Sequence, residues 1–257
     1  PYTTLFRSMG VDSGLPDFRG DQGFWKAYPP LKHLGKSFVD MATPELFKND
    51  PKLAWGFYSL RLNTYCAVEP HQGFYLLKEW SETLPNLTHG AFLFTSNVDG
   101  GFQKVGFKDE KVYECHGSIH HLQCLASCTA EIWSGDDISP EIDHLNCQWL
   151  DDLPHCKHCG GLARPNILMF DDYEWIAQRQ TQQRNRLESF INQYKQPLVI
   201  EIGAGTAIPT VRYFSERFAP SLIRINPRDY ALPKTGGIAL AMNAAHGIQI
   251  IYDISTT

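Results

Sequence analysis

Four of the seven cysteines fall into two close pairs. Cys124 and Cys128 form a Cys-x3-Cys pair, and Cys156 and Cys159 form a Cys-x2-Cys pair followed by Gly160 and Gly161. Each pair can chelate from one turn, and four thiolates close a tetrahedral zinc shell with no position left for a substrate. The spacing therefore predicts a structural metal. Cys147 could replace one ligand, and redox pairs or free buried thiols are the alternative. His120, His121, His155 and His158 are spare donors expected to face solvent.

A second set of reactive residues gathers where apolar runs stop. Ser96, Asn97 and Asp99 follow residues 91–95 (AFLFT), and His116 and Gly117 follow 111–115 (KVYEC). Gly203, Ala204 and Gly205 follow 198–202 (LVIEI), and Asn226 follows 222–225 (LIRI). In open parallel sheets, ligands bind beyond the carboxyl ends of the strands, so these positions predict one crevice. Gly203 and Gly205 would let backbone N–H groups approach a phosphate or ribose, although glycine after a strand is most often only a turn. The run SGLPDFRG at 13–20 places a carboxylate (Asp17), an aromatic plate (Phe18) and a guanidinium (Arg19) on an irregular loop, a set suited to a nucleotide. Its alternative is a surface turn with Phe18 in the core and Asp17 and Arg19 as a solvated pair. Tyr58 and Arg61 stand about one turn apart on an expected helix.

The elements needed to position these residues are legible as periodicities. The four apolar runs above, and a fifth at 248–252 (IQIIY), read as buried parallel strands. Leu76, Leu77, Trp80 and Leu84 within 74–84, and Trp175, Ile176, Leu187, Phe190, Ile191 and Tyr194 within 174–194, follow helical spacing. Alternating strands and helices predict an α/β fold: a Rossmann-like parallel sheet with helices on both faces. It is expected over 9–20, 85–118 and 164–257. Residues 21–84 interrupt the rhythm as a helical insertion, with 21–62 expected to be a loop followed by short helices, and 119–163 form a small zinc-binding module.

With 257 residues, 43% of them hydrophobic, the chain can bury a full core. Its 23 basic and 28 acidic residues give a net charge of -5 without long runs of either sign, which argues against general nucleic-acid binding. No apolar stretch approaches the roughly 18 to 20 residues needed to span a bilayer, and cysteines paired for metal rather than disulfides suit a reducing, cytoplasmic setting. Residues 1–8, PYTTLFRS, precede the first methionine, fit no later pattern and resemble translated sequencing-adaptor DNA. They are read as non-native, with a first strand and its glycine turn expected upstream of Met9.

In this order the motifs resemble the sirtuin family. The family's GIPDFRG loop is similar to Ser13–Gly20, its TQNxDxL motif to TSNVDGG at 95–101, and its histidine-glycine motif to His116 and Gly117. The two cysteine pairs come next, then a CGGxxRPxxxxF segment at Cys159–Phe170, a nucleotide turn at Gly203–Gly205, and the IN motif at Ile225 and Asn226.

The resemblance implies an NAD-dependent protein lysine deacylase that releases nicotinamide and the acyl ester of ADP-ribose, with NAD and structural zinc as cofactors and acylated lysines of proteins as partners. His116 would act as general base on a ribose hydroxyl, and Asn97 would orient the ribose and a water. Asp99 would hold the nicotinamide carboxamide with Ser96 beside it, Phe18 would shield the reactive face, and Arg19 would assist the ribose and phosphates. Ile167, Leu168 and Phe170 would offer a sheet edge to the substrate peptide. In some sirtuins a pair like Tyr58 and Arg61 binds the carboxylate of succinyl- or malonyl-lysine. Protein ADP-ribosyl transfer and a non-catalytic NAD-binding module are the alternatives. Ser96 stands where the family has glutamine, Asp171 and Asp172 replace a Gly-Glu, and Ala204 and Gly205 replace threonine and serine. The nucleotide turn thus lacks its hydroxyls.

Overall fold

The computed structural model describes residues 8–16, 20–83, 90–195 and 197–256. Eleven α-helices occur among them: α1 (Ser8–Asp12), α2 (Gly20–Ala27), α3 (Pro29–His33), α4 (Phe38–Met41), α5 (Pro44–Asn49), α6 (Pro51–Ala67), α7 (Gln72–Thr83), α8 (Gly101–Lys104), α9 (Gln178–Ile191), α10 (Thr210–Glu216) and α11 (Ala244–Ser255). Ten strands accompany them: β1 (Leu93–Thr95), β2 (Val112–Glu114), β3 (Gly117–Cys124), β4 (Trp133–Ser134), β5 (Ile142–Asp143), β6 (Gln148–Trp149), β7 (Ala163–Ile167), β8 (Val199–Ile202), β9 (Leu222–Ile225) and β10 (Ile238–Leu240). Among the described residues no helix is long and apolar enough to cross a membrane.

The parallel strands form two groups. β1 pairs with β2, Leu93 opposite Val112, and β8, β9 and β10 pair in sequence, Val199 opposite Leu222 and Ile238 opposite Ile223. Alternation along β1 and β2 sends side chains to two cores. Leu93 and Val112 pack with Phe74, Phe102, Ile225 and Ile248, whereas Phe94 and Tyr113 pack with Leu187, Ile191 and Phe214. The sheet strands are thus covered on both faces, as parallel strands must be. A cavity of about 470 Å³ lies between the two groups, lined by all of β1 and all of β8 together with Met9, Phe102 and Phe214. β1 is only half-buried throughout, although its neighbour β2 is fully buried.

Two sequence expectations need correction. Residues 248–252 are not a strand but the middle of α11. Asn243 caps that helix by accepting from the His246 N–H at 3.1 Å, and Gly247 sits so close to Ile225 that a Cβ there would lie 2.4 Å from Ile225 Cγ2. Ile248, Ile251 and Tyr252 then share one face, the helical i, i+3, i+4 pattern that a five-residue apolar run cannot distinguish from a strand. The last strand is instead β10. Likewise, residues 21–62 do not begin as a loop: helices run from Gly20, and the segment ends in the 17-residue α6. Ser37, Thr43 and Asp50 cap α4, α5 and α6 in turn, and Pro44 and Pro51 occupy first-turn positions. α6 is buried on several sides, through Leu53, Trp55, Phe57, Tyr58 and Arg61, so it shows no single apolar stripe. At the other long helix, Trp175, Ile176 and Tyr194 fall outside α9.

β3 pairs antiparallel with β7 on one side and β4 on the other, and β5 and β6 form a small hairpin. This unit packs on the helical insertion. Trp55 Nε1 donates to the Ala163 carbonyl at 3.0 Å and stacks edgewise on Trp149, joining α6 to β6 and β7 in one core.

Candidate active site and metal centre

The four paired cysteines meet at one point. Their sulfurs all lie within 4.8 Å of one another, with Cys124 Sγ 3.7 Å from Cys159 Sγ and Cys128 Sγ 3.6 Å from Cys156 Sγ. A tetrahedral zinc with bonds of about 2.3 Å requires sulfur separations of about 3.8 Å, so the donor set fits that ion. Each short contact joins one member of each pair, the arrangement expected when two chelating turns close on one ion. Cys147 is excluded: it is buried beneath α6, with its carbonyl 2.0 Å from where a Gly56 Cβ would stand. His158 pairs with Glu131 and His155 with the Leu153 carbonyl, so neither is a spare ligand.

His116 follows β2 after a single residue, Cys115. The next residue, Gly117, has φ +80, and a Cβ there would lie 2.0 Å from the Asn166 carbonyl oxygen, so glycine is obligatory. This turn aims His116 into a cavity of about 270 Å³ that it shares with Ser96, Asn97, Asp99, Tyr58, Arg61, Ile167, Leu168 and Phe170. Burial holds the imidazole below its ordinary proton affinity, and a hydrogen bond with the Ser96 backbone opposes this only in part. The ring is therefore neutral near pH 7 and able to accept a proton. Burial also pushes the Asp99 carboxyl up, against a hydrogen bond from the Gly101 N–H at 2.9 Å. The Ser96 hydroxyl is buried without a hydrogen-bond partner among the described residues. The loop that precedes these residues in space is represented by Gly10, Val11, Leu15 and Pro16 at the cavity wall. Asp17, Phe18 and Arg19 lie outside the described residues.

The segment expected to receive a peptide is tied to the site at both ends. Leu168 N–H donates to the His116 carbonyl and Phe170 N–H to the Ala42 carbonyl, each at 2.9 Å. Asp172, one of the residues departing from the family pattern, forms a fully buried bidentate pair with Arg164 at 2.7 and 2.8 Å and also accepts from the Met169 N–H. The added charge is thus neutralised internally and closes the loop. Gln123 reinforces it, accepting from Asn166 and from the Ile176 N–H. The Arg164–Asp172 pair and Gln123 escape sequence reading because their partners are distant or main-chain.

Tyr58 and Arg61 reach the same cavity from α6. Arg61 is 7% exposed and lies among the rings of Phe38, Phe57, Tyr58 and Tyr65, 5.4 to 5.8 Å from their centres. Its Nε and Nη2 both donate to Tyr65 Oη at 3.0 and 2.9 Å. Among the described residues no carboxylate pairs with it. The Tyr58 hydroxyl is buried without a hydrogen-bond partner among the described residues, and burial pushes its proton affinity up to about 12. Tyr65, four residues beyond Arg61, was within reach of helical spacing but unread.

The glycine turn and Asn226 lie at the ends of β8 and β9. Gly203 has φ +66, a left-handed conformation that glycine adopts freely, and donates to the Ile225 carbonyl at 2.8 Å. Asn226 faces this turn rather than open space: Nδ2 donates to the Ala204 carbonyl, and Oδ1 accepts from the Arg228 and Asp229 N–H groups.

A model of the Sir2 family matches residues 8–194. An NAD-dependent protein deacylase of Aquifex aeolicus (strain VF5) is 27% identical over 95% of this chain and 90% of its own length. An NAD-dependent protein deacetylase of Saccharolobus solfataricus is 32% identical over 80% of this chain and 72% of its own. A solved Sir2 homologue in complex with NAD superposes with a TM-score of 0.72 at 21% identity, covering 97% of this chain and 86% of that one, which establishes the shared fold.

Proposed function

The chain belongs to the Sir2 family, and on that premise we propose that it is an NAD-dependent protein lysine deacylase acting on acylated lysines of cytoplasmic proteins. The observation that carries this reading is the convergence of His116, Asn97 and Asp99 in the cavity that Arg61 and Tyr58 also line. NAD, when bound, would supply an electrophilic ribose carbon and a nicotinamide leaving group. The neutral imidazole of His116 accepts a proton from a ribose hydroxyl, its burial keeping it free of protons at neutral pH. Asn97 orients the ribose and a water, Asp99 and Ser96 face the carboxamide, and the Ile167–Phe170 segment receives the peptide as an added strand.

The acyl group preferred is a dicarboxylic one, succinyl or malonyl. An arginine buried among rings, with no anionic partner among the described residues and beside a phenol that has none there either, offers charge-assisted hydrogen bonds to a carboxylate. Acetyl, malonyl and succinyl peptides incubated with NAD, with nicotinamide release followed, test both levels. Release with the succinyl peptide exceeding that with acetyl supports the reading. Absence of release with every peptide refutes deacylation, and an acetyl preference unaltered in Arg61→Ala refutes the dicarboxylic preference.

A further inference from the structure

The turn after β8 carries an accounting problem. Gly205 is buried, and neither its N–H nor that of buried Ala204 has an acceptor among the described residues. Orphaned buried N–H groups are rare in folded proteins and call for a partner from outside. The carbonyl of the same turn is in the opposite condition. Ala204 O accepts twice, from Arg212 Nη2 at 2.8 Å and from Asn226 Nδ2 at 3.0 Å.

These facts are linked by the peptide plane. In a trans peptide the carbonyl of Ala204 and the N–H of Gly205 point in opposite directions. Two buried donors that hold the carbonyl inward therefore hold the Gly205 N–H outward. Ile208, three residues on, lines the cavity containing His116, so the turn borders the same crevice.

Arg212 is itself fixed. Its Nη2 also donates to the Asp229 carbonyl at 2.5 Å, joining the turn after β9 to the turn after β8. Behind it, Arg224 Nε binds Glu201 at 2.6 Å and Arg224 Nη2 binds Glu216 at 2.7 Å, and Glu201 lies 3.8 Å from Arg212. Two guanidiniums and two carboxylates balance in charge, and Ser215 donates to Glu201. The guanidinium of Arg212 is thereby left to act on main-chain oxygens.

We propose that Arg212, with Asn226, is a positioning residue for the nucleotide end of NAD, setting the Gly205 N–H to donate to a ribose or phosphate oxygen. This rests on the deacylase reading and explains how the turn functions with Ala204 and Gly205 in place of hydroxyl side chains. Main-chain donors, held by side chains from behind, replace side-chain donors held by the turn.

The test uses the whole protein and ADP-ribose. In glycine-labelled wild type, the Gly205 amide signal, assigned by its loss in Gly205→Ala, should shift on titration with ADP-ribose. Arg212→Lys retains the charge but gives up one of the two carbonyl bonds. It should raise the ADP-ribose Kd and the KM for NAD about tenfold, with kcat and the peptide KM within about twofold. Arg217→Lys, at the opposite end of the same helix, is the control and should change none of these. If Arg212→Lys is destabilised, Arg212→Gln takes its place with the same expected rise in Kd. An unmoved Gly205 amide, or an unchanged Kd in a folded Arg212 variant, overturns the proposal while leaving deacylation standing. A wild-type protein that neither binds ADP-ribose nor releases nicotinamide overturns both.

Discussion

The acyl end and the nucleotide end of the crevice solve recognition in opposite ways. At the acyl end, side chains are left unspent: among the described residues Arg61 has no carboxylate partner, and the buried Tyr58 hydroxyl has no hydrogen-bond partner. At the nucleotide end the polar side chains are consumed by the protein. Asn226 and Arg212 satisfy carbonyls, and backbone N–H groups are what remain for a ligand. Side-chain recognition can change specificity with one substitution. Main-chain recognition is insensitive to the residue that carries it but depends on what holds the turn from behind.

Between the two ends stands His116, and its removal is the severest test of their independence. His116→Ala should lower kcat by about 10²- to 10⁴-fold, the range for a lost general base, while ADP-ribose and acyl-peptide binding persist. Loss of binding at either end would show that the ends are coupled through the imidazole. Next in size, Arg61→Met should reduce kcat/KM for a succinyl peptide about 10- to 100-fold, as expected for a buried charge-assisted hydrogen bond, and spare acetyl turnover. Equal losses on both peptides would make Arg61 a packing residue. The roughly tenfold effect of Arg212→Lys follows, confined to the cofactor. The smallest effect is in pH. Because burial depresses the His116 proton affinity and the neutral ring is the active form, kcat/KM should stay flat through neutrality and fall only as pH drops below about 6.5. A limb at higher pH would mean that the charged ring is favoured.

Much of this arrangement was legible because it is local. The cysteine spacings led to the four-sulfur cluster, and four of five apolar runs became parallel strands. Ser96, Asn97, Asp99 and His116 after β1 and β2 line one cavity, whereas Gly203, Gly205 and Asn226 after β8 and β9 are not among its lining residues. The failures have physical causes. Residues 248–252 offered five apolar or polar positions that satisfy both a strand and one helical turn, and only the Asn243 cap distinguishes them. α6 lacks a stripe because its surroundings are apolar on several sides. Spacing marks Asn226 as a polar residue at a strand end but not its partners: its amide donates to the Ala204 carbonyl and its oxygen accepts from the Arg228 and Asp229 N–H groups. Arg212 was unread altogether, because an arginine whose partners are carbonyl oxygens leaves no trace in residue spacing.

The seam between β1 and β8 has a consequence for handling the protein at concentration. Among the described residues each strand pairs on one side only, and both line the same cavity. Open strand edges are templates for further strands, so this seam is where molecules would adhere to one another or capture a stray extended segment. In deuterated water the amides of Phe94 and Ile200 should exchange sooner than those of their partners Tyr113 and Ile223, and light scattering should rise with concentration before catalytic activity is lost. Equal protection on both sides of each pair would show that the seam is closed in solution.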